Sequence, residues 1–308
     1  MPKKSSASPL IDIYIKVGRA CLALWPLFLV QLVFTLLQYA TFLLCLGLLF
    51  EPFLEKNMDL LLEGLKQPES FNWKPLLQEA SVYFLDPHWI VIAVGLALLF
   101  MIWWCLLAAV ANGGIFRACW GHFRSAKVFS LKDFFQDGFR WLVPMLWLQI
   151  LLMFLVLMIL ALWGCLGLLA WAVTVLLGSS TGVNVLASVM VGFPFLLFWM
   201  AFALVFPAYG FLCKGLLTKG MGAWESIQVA VRKFTEKDCR AGSGLIVAFL
   251  IYVVASFVAR GTFGVMGMIP WIGLAFSVLD FFIGIGLMIF VMIYLPALSV
   301  AFLSEKDV

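Results

Sequence analysis

Long apolar stretches alternate with shorter polar segments along the chain, and this pattern predicts helices that cross a membrane. Several stretches exceed the roughly 20 residues that a transmembrane helix needs. Their apolar residues are continuous rather than alternating, which argues against a transmembrane β-barrel. We therefore predict one all-α transmembrane domain over residues 1–308 with six spans. Their approximate ranges are 22–50, 89–111, 142–166, 185–213, 245–260 and 281–302.

Three polar segments lie between spans one and two, two and three, and four and five. Residues 51–88 are acidic and contain amphipathic pieces at Met58–Leu65 and Leu76–Phe84, so we expect a small helical cap there. Residues 112–140 and 214–244 are basic and form the two other connections.

Two apolar runs are too long for simple spans. We expect the run 141–177 to break near Gly164–Gly167, which leaves 168–183 as an interfacial stretch on the outer side. In the last run, Ser277 followed three residues later by Asp280 is typical of a capping box. This spacing predicts an interfacial segment at about 268–279 and a new helix start.

A short amphipathic helix is predicted over Ser130–Trp141, directly before the third span. Ser130 is a suitable N-cap, and Asp133 lies where a carboxylate favours the first turn. Arg140 lies in the last turn, where a cation favours the negative end of the helix dipole.

The same spacing occurs before the first, third and fifth spans, because an acid precedes an arginine by seven residues in each. The pairs are Asp12/Arg19, Asp133/Arg140 and Glu225/Arg232. Seven residues separate two side chains by roughly 10 Å along a helix, so these pairs cannot bond within their own helix. Each charge either complements its helix end, which we favour, or meets a partner from another repeat. The pattern predicts a pseudo-repeat of three hairpins, each preceded by a cytoplasmic amphipathic helix; a chance match is the alternative.

Composition supports the membrane class and limits what the charge implies. Hydrophobic residues make up 65% and charged residues 12% of the chain, far from the balance of a soluble domain. The net charge of +4 does not predict a nucleic-acid partner, because membrane topology places the basic residues. The termini and the two basic connections hold 16 of the 20 lysines and arginines, so both termini are predicted to be cytoplasmic.

The seven cysteines are scattered without metal-binding spacing, and we interpret them as reduced packing residues. The first apolar run is too long for a signal-peptide core, so we expect a retained span.

Several short motifs together resemble a known group. They are Gly113-Gly114-Ile115-Phe116-Arg117, Ser130-Leu131 with Phe134 and Gly138-Phe139-Arg140, Pro207, Gly222-Ala223-Trp224-Glu225-Ser226-Ile227, and Ile269-Pro270-Trp271-Ile272-Gly273. Their order is similar to that in a large, poorly characterised group of six-span prokaryotic membrane proteins, which includes the membrane domain of some glycerophosphodiester phosphodiesterases. The group often has alanine and serine where Ser226 and Ala230 stand here. The resemblance implies a bacterial-type cytoplasmic (inner) membrane and carries over no catalytic residues.

The sequence offers little for catalysis. Its two histidines, His88 and His122, have no second histidine at ligand spacing. Phosphate loops, nucleophile elbows and zinc-protease helices are not found. We therefore expect no enzyme activity, no metal and no cofactor.

Transport would require polar groups inside the hydrocarbon. The candidates are Gln31, Gln38, Gln149, Thr174, Ser188, Ser256 and Asp280. Asp280 is either an ion- or proton-binding group paired with Arg260, or, as we favour, both residues lie at the outer interface.

These observations favour a non-catalytic membrane protein that organises lipids or assists the assembly of other membrane proteins. A transporter or channel for a small or lipid-like solute is the alternative. The expected partners are the bilayer and its anionic headgroups at the cytoplasmic face, with a membrane-protein partner or a homo-oligomer also open.

Overall fold

The computed structural model describes residues 9–66, 72–176, 181–235, 240–267 and 273–305. Across these ranges the chain forms helices joined by short turns and no strands. The helices are α1 (Pro9–Ala23), α2 (Pro26–Lys66), α3 (Lys74–Phe84), α4 (Pro87–Ser125), α5 (Leu131–Arg140), α6 (Leu142–Leu176), α7 (Thr181–Lys219), α8 (Ala223–Thr235), α9 (Arg240–Gly267) and α10 (Gly273–Glu305).

Six of these helices, α2, α4, α6, α7, α9 and α10, are long and apolar enough to cross a membrane. The prediction of an all-α polytopic membrane protein with six spans is confirmed. The short helices α1, α5 and α8 come directly before the first, third and fifth spans, where the charge pattern places them.

The chain divides into two compact units. Unit 1 comprises residues 1–31 and 109–308, and unit 2 comprises residues 32–108. In unit 1, α7 contacts α6, α8, α9 and α10, and α10 also contacts α1.

The core of unit 1 lies at one end of its helices. Its largest fully buried side chains include Phe116 near the end of α4, Met145 near the start of α6, and Leu245 near the start of α9. Leu212–Leu217 of α7 and Ile293–Leu298 of α10 complete this core. Because consecutive spans run in opposite directions, all these positions meet at the end that carries α1, α5 and α8.

Small residues allow helices to approach closely at this end. A Cβ added at Gly114 would lie 2.5 Å from two ring carbons of Phe134, and one at Gly138 would lie 2.8 Å from the carbonyl oxygen of Val110. The glycines therefore set how closely α5 packs against α4.

Unit 2 contains an aromatic cluster. The rings of Phe53, Tyr83, Phe84 and Trp89 lie 4.9–6.0 Å apart, mostly edge to face or tilted. Of the two amphipathic pieces predicted in 51–88, Leu76–Phe84 lies in a separate helix, α3, whereas Met58–Leu65 continues α2.

Several predicted boundaries differ from the structure because helices continue past the ends of their apolar runs. α4 extends to Ser125, beyond the predicted end at 111, and α7 extends to Lys219. Water-exposed polar residues are compatible with a helix, so hydropathy marks the membrane boundary and not the helix end.

Two predicted breaks are wrong. α6 passes through Gly164 and Gly167, and α10 starts at Gly273 and contains both Ser277 and Asp280. Ending a helix inside an apolar run would leave backbone N–H and C=O groups without partners in the hydrocarbon, so an isolated glycine or a Ser-Asp pair does not end the helix. Residues 177–180 of the predicted interfacial stretch 168–183, and residues 268–272 of the predicted interfacial segment 268–279, lie outside the described residues.

Candidate functional site

The end of unit 1 that holds the core also holds its polar contacts. We call it the end face, and define it as α1, α5 and α8 together with the adjoining ends of α4, α7 and α10.

The last turn of α7 receives donors from α4. Trp120 donates its indole N–H to the carbonyl oxygen of Gly215 at 3.3 Å and to Oγ1 of Thr218 at 3.2 Å. Arg117 Nη1 donates to the carbonyl oxygen of Thr218 at 3.4 Å. Last-turn carbonyls have no partner within their helix, and a cation there favours the helix dipole. These contacts therefore fix α4 to α7.

A charged cluster joins α4, the following turn and α5. Nε of Arg117 lies 3.9 Å from Oδ1 of Asp137, and Nζ of Lys127 lies 2.8 Å from Oδ2 of Asp133. The hydrogen bond to Asp133 and the nearby negative charge raise the pKa of Lys127. The cavity beside this cluster has a volume of about 30 Å³, which suits a water and no larger ligand. The cluster is therefore structural.

Side chains cap the starts of two of the three short helices, through Ser130 before α5 and Glu225 in α8. Ser130 Oγ accepts from the backbone N–H of Asp133 at 3.4 Å, which confirms the predicted N-cap of α5. Before α8, Oε2 of Glu225 accepts from the backbone N–H of Gly222 at 3.3 Å. Arg140 and Arg232 lie in the last turns of α5 and α8.

Asp12 and Arg19, the charged pair of α1, lie in an open groove. They line this groove of about 480 Å³ between α1 and the end of α4, together with Lys16, His122 and Phe123. Lys16 Nζ lies 5.9 Å from the ring centroid of Phe123. The groove brings cationic and apolar side chains to one place.

Each short helix has three faces instead of two. On α1 the side chains of the core face are at most 4% exposed; they are Ile13, Val17, Ala20 and Cys21. The side chains of a second, apolar face are 49–77% exposed; they are Ile11, Ile15 and Leu22. At about 100° per residue, Asp12, Lys16 and Arg19 form a third, charged face. Burial on the core face raises the pKa of the Cys21 thiol to about 12.

The other two short helices repeat this arrangement. On α5, Phe134 lies on the buried face. The exposed apolar face comprises Leu131, Phe135 and Phe139, and the charged residues form the third face. On α8 the buried face includes Ile227 and Ala230, and the exposed apolar face is Trp224 and Val231. Around the axis of each helix, viewed from the same end, the core face is followed by the apolar face and then by the charged face.

The predicted intramembrane residues do not form an ion pair. Within the described residues, no ion pair joins Asp280 to Arg260; the Arg260 guanidinium instead lies 3.0 Å from the position of a Cβ on Gly284, one turn along α10 from Asp280. Oδ1 of Asp280, Oε1 of Gln31 and Oε1 of Gln149 are buried without hydrogen-bond partners. The side chains of Thr174 and Ser188 lie outside the described residues.

Sequence reasoning missed the roles of Arg117, Trp120 and Lys16. It assigned Arg117 to a loop because the apolar run ends at Asn112, whereas α4 continues and directs Arg117 and Trp120 towards α7. The three-residue spacing of Arg117 and Trp120, which places both on one helix face, could have predicted that they contact a neighbouring helix together.

Within the parts of the chain that the structure describes, no group of three His, Cys, Asp or Glu side chains is arranged to hold a metal ion. Comparisons with protein-family models, curated proteins and solved structures found no match to this chain.

Proposed function

We propose that this protein is a non-catalytic integral membrane protein that organises lipids at one face of the bilayer. The observation that supports the proposal is the common arrangement of the three short helices. Each packs on the core by one face, exposes apolar side chains on the second and carries charges on the third.

This arrangement suits helices that lie in the interface between hydrocarbon and water. An exposed apolar face of Ile, Phe or Trp is costly in water and favourable among acyl chains. The charged face would then meet the headgroups, where each lysine or arginine contributes about 1 kcal/mol near anionic lipid. Three such helices at one end would order the surrounding leaflet.

The proposed location is a bacterial-type cytoplasmic membrane with both termini in the cytoplasm. Its support is the concentration of lysine and arginine on the side of the end face and the resemblance to six-span prokaryotic proteins. On this orientation the end face contacts the inner leaflet. The three-hairpin repeat is also a proposal, supported by the same order of faces on α1, α5 and α8.

Transport of a small or lipid-like solute is the second candidate. It is supported by the unpartnered buried oxygens of Gln31, Gln149 and Asp280 in the spans, because polar groups inside a membrane often line a solute path.

Reconstitution into liposomes distinguishes the two functions. We expect spin-labelled anionic lipid to be enriched over zwitterionic lipid in the motionally restricted shell around the protein, with solute permeation at the level of empty vesicles. Solute flux that Asp280→Asn abolishes, with no preference for anionic lipid, would establish transport and contradict the proposal. The variant Asp59→Asn, the same change at an exposed position of α2, is the matched control for that flux.

A further inference from the structure

The groove between α1 and the end of α4 combines charged side chains of both signs with an aromatic ring. Asp12, Lys16 and Arg19 line one wall, and His122 and Phe123 line the other. Within the described residues none of the three charged side chains on α1 forms an ion pair. Lys16 and Arg19 are three residues apart on one face, so both can reach a single anion. The charges of Asp12, Lys16 and Arg19 sum to one net positive charge.

The chemistry of these groups fits a phosphate ester. The guanidinium of Arg19 can bind two phosphate oxygens at once, and the ammonium of Lys16 adds a point charge. His122 is half-buried on the opposite wall, where a ring nitrogen can donate to a third oxygen. The volume of about 480 Å³ is sufficient for a headgroup, in contrast to the water-sized cavity beside Asp133.

The apolar surroundings identify the source of the phosphate as a lipid. Ile15 lines the groove and also belongs to the exposed apolar face of α1 with Ile11 and Leu22. A ligand whose phosphate occupies the groove would therefore place its attached chains along this apolar face. A free phosphate would leave the apolar face uncovered.

We propose that the groove formed by Asp12, Lys16, Arg19, His122 and Phe123 binds the headgroup of one anionic phospholipid from the adjacent leaflet. This inference deepens the proposed function, since it rests on α1 lying at the membrane face and assigns one specific lipid site there.

Native mass spectrometry of the full chain, with added phosphatidylglycerol or phosphatidylcholine, tests the site. We expect wild-type protein to retain one phosphatidylglycerol in preference to phosphatidylcholine. The double variant Lys16→Gln/Arg19→Gln should bind this lipid about twenty-five-fold more weakly, from about five-fold for each cation removed. The matched control Lys66→Gln/Lys74→Gln removes the same charge from exposed positions of unit 2 outside the groove, and should leave this affinity unchanged.

A second variant keeps the test decisive if the double variant folds poorly. Asp12→Asn removes the acid beside the two cations without changing size, and should tighten binding of phosphatidylglycerol several-fold. Equal weakening by the unit 2 control, or no effect of Asp12→Asn, would overturn the site. Millimolar inorganic phosphate could displace bound phosphatidylglycerol as effectively as added phosphatidylglycerol does. That result would show a free-phosphate site and overturn the lipid assignment.

The outcome separates this inference from the proposed function. Loss of the groove site with a preserved anionic lipid shell in liposomes would contradict the groove alone. Solute flux without a lipid preference would contradict the proposed function, whatever the groove binds.

Discussion

At the scale of single residues, Ala126 holds a backbone conformation that favours glycine. Its φ is 49°, in the left-handed region, and it ends α4 with backbone hydrogen bonds from Ala126 to His122 and from Lys127 to Gly121. At the end of α7 the corresponding position is Gly220, with φ 116°. Alanine in the left-handed region costs about 1–2 kcal/mol, while glycine increases the entropy of the unfolded chain.

We therefore expect Ala126→Gly to raise the free energy of unfolding by about 0.5–1 kcal/mol, since Ala126 is exposed and its methyl group adds little packing. Gly220→Ala, the reverse change at a matched helix end, should lower that free energy by about 1 kcal/mol. Denaturant unfolding in detergent micelles measures both. Destabilisation by Ala126→Gly would mean that α4 does not end in this turn.

At the scale of elements, α2 is longer than a membrane requires. It runs for 41 residues from Pro26 to Lys66, about 60 Å, or twice the hydrocarbon thickness. Its second half carries five charged residues before Lys66, so that half extends into water: Glu51, Glu55, Lys56, Asp59 and Glu63.

We expect a cysteine introduced by Lys66→Cys to react with a membrane-impermeant maleimide on intact cells, because Lys66 is exposed and on the proposed outer side. Lys132→Cys on α5 is the matched control and should react only after permeabilisation. Wild-type protein gives the background from the native cysteines. Labelling of Lys132→Cys on intact cells, and not of Lys66→Cys, would reverse the proposed orientation.

The sequence predicts helices well where a single physical effect, such as apolar length or N-capping, determines them. Apolar length alone identifies the six spans, and the Ser130/Asp133 spacing identifies α5 together with its cap. It fails at Gly164 and at Ser277, where a weak local signal lies inside a long helix that tertiary packing and the bilayer both favour.

Contacts of the site depend on the tertiary arrangement and could not be predicted. The groove needs His122 of α4 beside Lys16 of α1, although more than one hundred residues separate them in the chain. The same holds for Trp120 and the end of α7. The acid–arginine spacing located the helices, but only the burial pattern revealed their exposed apolar faces.

At the scale of the whole molecule, the core and the short helices occupy the same end of unit 1. Further from the end face, the spans of unit 1 expose apolar side chains, as expected where lipid is the solvent. Polar contacts such as Tyr14 Oη to the carbonyl of Gly244 at 2.8 Å, and Tyr209 Oη to the carbonyl of Ile227 at 3.0 Å, hold the short helices at that end. A rigid end face would hold the apolar faces of these helices in a fixed position.

The most direct test of this account is the collision accessibility of spin labels on α1, α5 and α8 in lipid nanodiscs. We expect labels at Ile15, Phe135 and Val231 to collide more with oxygen, which concentrates in hydrocarbon, than with a water-soluble nickel complex. Labels at Lys16, Lys132 and Arg232, on the charged faces, should show the opposite preference. Equal access of the nickel complex to both sets would place the apolar faces in water and contradict the account.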